Sequence, residues 1–279
     1  MTNILKGKAV ADKINDRTNE ILKKLSLKPH LAILRCGNKS DDIAYEKKIY
    51  KRCADFNISC NTIIINEDTN INNYLQEIDK CNKNKNIDGI ILLNQLYPHE
   101  SSSIIDINKD IDGTNPLNVT AAFLNKEDCF IPCTAQAVIE LLDYYNIDVT
   151  GKNVTIIGRS MTVGKPLSML LLNRNATITV CHSHSQNIRE HTLNSDIVIA
   201  AVGQAEVFDK SYFRQGQTVI DVGINYSEQK QKMCGDVLFD EVKDLVENIT
   251  PVPFGVGTIT NAVLINHLAL AAKRRNYEN

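Results

Sequence analysis

One stretch constrains the chain more than any other: Asn153-Val154-Thr155-Ile156-Ile157-Gly158-Arg159-Ser160-Met161-Thr162-Val163-Gly164-Lys165-Pro166-Leu167-Ser168. An apolar, β-branched run stops at Gly158. A short polar loop leads to Gly164, and Pro166 falls where the first turn of a helix tolerates it. Strand, glycine loop and helix start together aim backbone N–H groups and a helix dipole at a phosphate. The spacing departs from G-x-G-x-x-G, because Ser160 stands at the middle glycine and Gly158 and Gly164 are six residues apart. Taken alone, the loop reads either as a nucleotide site or as an ordinary strand-to-helix turn.

The flanking sequence alternates strands and helices, the pattern of a parallel α/β sheet. The spacing predicts helices over 5–25, 43–56, 70–81, 136–145 and 260–273. Strands are predicted over 30–35, 59–66, 87–93, 153–158, 176–181, 197–202 and 219–223. Polar turns are expected around Pro98, Asp112-Gly113 and Pro116. The chain of 279 residues is long enough for two cores, and a boundary is expected near residue 135, crossed by a helix. The final helix suits either domain.

Bulk properties exclude several partners. A formal net charge of −2 favours neither nucleic acid nor an anionic membrane. No stretch approaches the ~18 apolar residues of a membrane span, and no basic-then-apolar leader opens the chain, so the expected location is cytoplasmic. Eight scattered cysteines without a C-x-x-C pair read as reduced thiols. His182 and His184 share a face on an extended strand, but no ligand cluster accompanies them and no metal is expected.

A dinucleotide site ordinarily closes its second strand with Asp or Glu, which holds the adenosine ribose hydroxyls. Here that strand ends in Cys181-His182-Ser183-His184. With no carboxylate to repel a 2′-phosphate, and with Arg159 and Ser183 available as donors, NADP is favoured over NAD. Arg159 as a solvated loop residue and Ser183 as a turn residue remain open on these grounds.

Gly158-Arg-Ser160, Asp221-Val-Gly-Ile224 and Pro251-Val-Pro253 make a more specific pattern. So do Leu5-Lys-Gly-Lys8, Asp88-Gly89-Ile90, Asp110-Ile-Asp-Gly113, Pro132-Cys-Thr134, Ala201-Val-Gly203 and Gly235-Asp-Val237. The chain resembles, nearly end to end, the methylenetetrahydrofolate dehydrogenase/cyclohydrolase family, often bifunctional in bacteria. The resemblance implies two α/β domains, the second a Rossmann-type NADP-binding domain, with a folate cleft between them. Residues 1–134 plus 261–279 would form the folate-binding and catalytic domain, and 135–260 the NADP domain. It also implies tetrahydrofolate one-carbon derivatives as substrates and a homodimer.

Carried over position by position, the cofactor residues are Gly158, Arg159, Ser160, Gly164, Ser183 and Ile224. The substrate-binding residues are Tyr45, Gln95, Asp112, Pro253 and Gly255, and the catalytic ones Tyr45, Lys48 and Asp112. Read without the family, Asp112 is also a plausible turn cap before Gly113.

Three departures from the family pattern fall among these positions. The family follows its Tyr by a Lys four residues later, and that Lys is central to the cyclohydrolase step; here Ile49 follows Tyr45. Lys48, at i+3, lies near the same helix face, although Lys47, Lys48 and Lys51 also read as a solvated charged face. Leu93 occupies the ungapped position of the family Gln, with Gln95 two residues on, reachable by a bulge. Phe254 replaces a Gly beside Gly255. Hydride transfer needs no general base, whereas hydrolysis needs an activated water. The expectation is therefore NADP-dependent oxidation of 5,10-methylenetetrahydrofolate to the methenyl form with cyclohydrolase activity weak or lost. The alternatives are a full bifunctional enzyme using Lys48 and Gln95, and a non-catalytic nucleotide- or folate-binding regulator.

Overall fold

The computed structural model describes residues 2–126, 128–228 and 230–277. The chain opens with a two-residue strand, β1 (Asn3–Ile4), and a helix, α1 (Gly7–Leu22). It continues through β2 (His30–Cys36), α2 (Ser40–Asp55), β3 (Ser59–Ile65), α3 (Ile71–Lys83) and β4 (Gly89–Leu93). These three strands form a parallel sheet in the order β3-β2-β4. The central strand, His-Leu-Ala-Ile-Leu-Arg-Cys, is buried along almost its whole length, as expected where both faces of a parallel sheet are covered. Tyr74, Ile78 and Cys81 recur at helical spacing on α3 and are its buried residues, giving that helix its inward stripe. The Asn70 side chain caps α3 by accepting the Asn73 N–H at 3.0 Å.

Where polar turns are expected around Pro98 and Pro116, the structure forms two short helices, α4 (Pro98–Ile104) and α5 (Pro116–Phe123). Each proline heads a helix, where its missing N–H is no loss. Asn115 completes the start of α5 by accepting the Leu117 N–H at 2.8 Å.

Next come α6 (Cys133–Tyr144), β5 (Asn153–Ile157), α7 (Gly164–Leu172), β6 (Thr177–Cys181), α8 (Ile188–Leu193), β7 (Ile197–Ala200) and β8 (Thr218–Asp221). A small antiparallel hairpin, β9 (Asn225–Ser227) with β10 (Lys232–Cys234), follows. The chain then passes through α9 (Phe239–Val242) and β11 (Asn248–Ile249) and finishes in α10 (Val256–Tyr277). The second sheet has six strands in the order β1-β11-β8-β7-β5-β6, all parallel. Strand order reverses between β5 and β7, the switch point at whose carboxyl ends a doubly wound sheet opens its crevice. Val198, Val219, Val237, Val242 and Ile249 belong to the core beside this sheet.

The chain divides into two compact units, residues 14–133 with 261–279 and residues 1–13 with 134–260. Residues 1–13, expected with the first domain, group with the second unit. The reason is β1, which pairs in parallel with β11 and so closes the edge of the six-stranded sheet. Both α1 and α10 begin in one unit and end in the other. Among the described residues no helix is long and apolar enough to cross a membrane.

Candidate active site

The glycine loop sits at the carboxyl end of β5, beside the switch point. Gly158 has φ +125 and packs so tightly that a Cβ would stand 2.2 Å from the Ala201 carbonyl oxygen. Gly164 meets the same loop from the other side, where a Cβ would stand 2.0 Å from the Gly158 carbonyl oxygen. Both close contacts are with backbone atoms, so neither position admits a side chain without moving the loop. Ser160 Oγ accepts the Val163 N–H at 3.1 Å and the Ser160 carbonyl accepts the Lys165 N–H at 3.1 Å, which bends the loop into α7.

Beyond the loop the Arg159 side chain is exposed, as is Ser183 at the end of β6. The His182 pKa is lowered by burial and by the neighbouring charges of Arg159 and His184. Three basic side chains therefore gather at the ends of β5 and β6 with no carboxylate on that strand end. This suits a phosphate there and disfavours a bare ribose diol. No group of three or more His, Cys, Asp or Glu among the described residues could hold a metal ion.

A pair of buried carboxylates holds the neighbouring strand ends. Asp221, the last residue of β8, accepts the N–H groups of Gly223, Asp236 and Val237 at 2.9–3.0 Å. Asp236 in turn accepts Val202 N–H at 2.6 Å, Gly203 N–H at 3.2 Å, Gln204 N–H at 3.0 Å and the Asn225 side-chain amide at 2.9 Å. Burial and the nearby Asp236 charge push Asp221 up to about 7 against the pull of its backbone donors. Together they tie the loop after β7 to the end of β8 and to the β9–β10 hairpin. Ile224, between these fixed points, is 61% exposed.

In the other unit, α2 carries Tyr45. Glu46, the next residue, accepts Arg35 Nε at 2.6 Å and Thr62 Oγ1 at 2.8 Å, which fixes the roll of the helix. Tyr45 is half-buried, and its pKa is raised by burial and then by the charges of Asp112 and Cys133. Asp112, also half-buried, is pushed up to about 6, by burial first and then by Asp110, while a hydrogen bond with Cys133 pulls it down. Asp110 is a structural neighbour, since its buried carboxylate accepts Thr114 N–H, Asn115 N–H and the Asn118 side-chain amide at 2.7–3.0 Å. Behind this group His267 Nδ1 donates to the Ile111 carbonyl at 2.8 Å, and burial lowers its pKa to about 4, so the ring is neutral. The Cys133 thiol lies 3.3 Å from the same carbonyl.

Of the remaining candidates, Lys48 is exposed and Ile49 is 2% exposed. Strand β4 pairs with β2 in unbroken register as far as Leu93, opposite Arg35. Asn94 then turns the chain with φ +52, so Gln95 lies past the strand rather than in a bulge within it. The Gln95 side-chain oxygen accepts Ser101 Oγ at 3.0 Å and Ser102 Oγ at 3.4 Å. Pro253 is exposed and follows a cis peptide bond, and Gly255 is buried.

Residues 5–112 match the family described as tetrahydrofolate dehydrogenase/cyclohydrolase, catalytic domain, and residues 132–276 its NAD(P)-binding domain. The chain belongs to this tetrahydrofolate dehydrogenase/cyclohydrolase family. It is 44% identical to the bifunctional protein FolD of Clostridium botulinum over 283 residues, covering 99% of this chain and 100% of that one. The crystal structure of bifunctional FolD from Campylobacter jejuni is similar with a TM-score of 0.94 at 34% identity, over 99% of this chain and 100% of that chain. The Trypanosoma brucei enzyme, solved with NADP cofactor and inhibitor, is similar with a TM-score of 0.90 at 28% identity, over 100% and 99%.

In this member of the dehydrogenase/cyclohydrolase family, Asp236, Cys133 and His267 support the candidate site without having been singled out individually from sequence. Gly235-Asp-Val237 and Pro132-Cys-Thr134 stand out as short motifs, but nothing local tells that Asp236 serves the loop after β7. His267 carries a faint signal, a lone imidazole in an otherwise apolar helical run.

Proposed function

We propose that this chain is an NADP-dependent methylenetetrahydrofolate dehydrogenase in which hydrolysis of the methenyl product is weak or lost. Family membership and the basic phosphate site support the first half. The single observation behind the second is Ile49, an aliphatic side chain buried at the position where the family carries its Lys. It can neither shuttle a proton nor polarise a folate nitrogen.

In this reading Gly158, Ser160 and Gly164 allow close approach of the cofactor pyrophosphate, Arg159 and Ser183 bind the 2′-phosphate, and Ile224 flanks the reacting end. Bound NADP supplies the hydride acceptor. Tyr45, Gln95, Asp112, Pro253 and Gly255 contact the folate. The Asp112 carboxylate, ionised above about pH 6, accepts paired donors from the pterin. Because the folate nitrogens stabilise the cation left by hydride loss, the chain needs mainly to position the substrate. Hydrolysis makes the further demand of an activated water, and Lys48 stands three residues beyond Tyr45 on α2.

A spectral assay following NADPH and methenyltetrahydrofolate together tests the reading. Both should accumulate in equal amounts, with the methenyl signal decaying no faster than in buffer. Hydrolysis at a rate comparable to NADPH formation would instead support the bifunctional alternative using Lys48 and Gln95, which the name of the 44%-identical relative favours. Calorimetric binding of NADP with no folate turnover would point to a non-catalytic regulator. The same reading makes the protein a cytoplasmic homodimer, which light scattering on the purified chain checks for oligomeric state.

A further inference from the structure

Phe254 is held in a backbone conformation that suits a different residue. Its φ is +81, in the region that L side chains other than Asn and Asp rarely enter. The neighbours impose this geometry. Its carbonyl accepts the Gly7 N–H at 2.8 Å, and the next residue, Gly255, lies so near the Pro251 carbonyl that a Cβ would stand 2.4 Å from its oxygen. Glycine would meet these constraints without strain. The chain instead places there a phenyl ring that is 72% exposed, so burial within the protein does not offset the strain. Strain retained at an exposed aromatic points to a ligand that covers it.

The topology indicates which ligand. The end of β11 feeds directly into residues 250–254, and the end of β8 feeds into Ile224. Ile224 Cδ1 lies 2.8 Å from where a Cβ on Gly257 would be. Both exposed apolar side chains thus lie at the carboxyl end of the β8–β11 side of the sheet, whereas Arg159 and Ser183 mark the β5–β6 side for the phosphate-bearing adenosine. The reacting rings are left to the Ile224 and Phe254 side. From the dehydrogenase reading above, on which this step rests, we infer that Phe254 is a substrate-contacting residue whose ring packs against a planar ring of the reduced folate.

Phe254→Gly and Phe254→Tyr test the assignment through four readouts. These are the KM for methylenetetrahydrofolate, the KM for NADP, the Tm, and calorimetric affinity for 5-formyltetrahydrofolate without cofactor. Loss of one aromatic contact should raise the folate KM and the formylfolate Kd of Phe254→Gly about two- to tenfold. The NADP KM should stay unchanged, the Tm should hold or rise, and Phe254→Tyr should retain wild-type values. Unchanged folate KM and Kd would overturn the inference, as would a lowered Tm, which would assign the ring to packing within the protein. If the wild-type chain oxidises no folate, the dehydrogenase reading fails first, and the calorimetric comparison still decides whether Phe254 touches a reduced folate.

Discussion

Ile49 stands one helical turn beyond Tyr45 on α2, and the two differ sharply in surroundings. Ile49 is 2% exposed, whereas Tyr45 is half-buried within electrostatic reach of Asp112 and Cys133. Residues four apart share a helix face, so a longer polar side chain at 49 can extend along the face that carries the Tyr45 ring. Ile49→Lys should therefore raise methenyltetrahydrofolate hydrolysis selectively. The gain should lie toward the roughly 10²- to 10⁴-fold worth of proton-transfer assistance, with dehydrogenase turnover little changed. Replacing a buried isoleucine should also lower stability by about 1.5–3 kcal/mol, visible in a urea titration. No gain in hydrolysis would shift the cause to Leu93 or Phe254.

The raised Asp112 pKa makes a pH prediction with a definite sign. Its value moves from 3.8 to about 6 in the folded chain, so between those values the folded state holds more of this proton than the unfolded state does. The contribution of Asp112 to stability therefore falls as pH rises from about 4 to about 6, by up to about 1.4 kcal/mol per pH unit, and is level above that. Asp112→Asn should flatten this part of the curve and be the more stable protein at neutral pH. In activity the proposed role of Asp112 in folate binding reverses the order: the wild-type KM should climb below about pH 6, while the Asn variant should bind weakly at every pH.

Arg159 should set cofactor choice. A charge-assisted hydrogen bond contributes about 1.5–3 kcal/mol, so Arg159→Ala should weaken NADP binding roughly 10- to 150-fold. NAD affinity should change little. Isothermal titration with both dinucleotides reads the difference directly, and an equal loss for both would remove Arg159 from the 2′-phosphate.

Asp236 joins three consecutive N–H groups after β7 to the Asn225 amide and is fully buried. Asp236→Asn removes the charge and turns one acceptor into a donor facing N–H groups. A loss of about 2–4 kcal/mol is expected from the denaturation midpoint. Because the freed loop adjoins Gly158 through Ala201, NADP affinity should fall as well. Unchanged cofactor binding in a destabilised variant would show that the network serves only the fold.

Much of this architecture is legible in residue patterns, and particular residues show where legibility ends. The β5–α7 junction is visible because its strand, glycines and helix lie within sixteen consecutive residues, 153–168. The apolar run of β2 is equally plain. Short helices headed by Pro98 and Pro116 hide as turns, since seven or eight residues show too little periodicity to outweigh a proline. The service Asp236 performs for residues 202–204 is a contact across more than thirty positions, and no local pattern encodes it. Of the candidate site, Tyr45 and Asp112 emerge through family motifs, whereas His267 and Cys133 acquire meaning only when α10 and α6 bring them to the Ile111 carbonyl.

The pairing of β1 with β11 also has a consequence for synthesis. Asn3 and its partner Asn248 are separated by 245 positions, so β1 leaves the ribosome long before the strand it pairs with. At about 5–20 residues per second this interval is roughly 12–50 s. Throughout it, the sheet edge that β1 will close stays unformed. A nascent chain of this protein must therefore keep β1 unpaired until β11 has been made, which makes that strand a place where a holding chaperone would act on a late folding step.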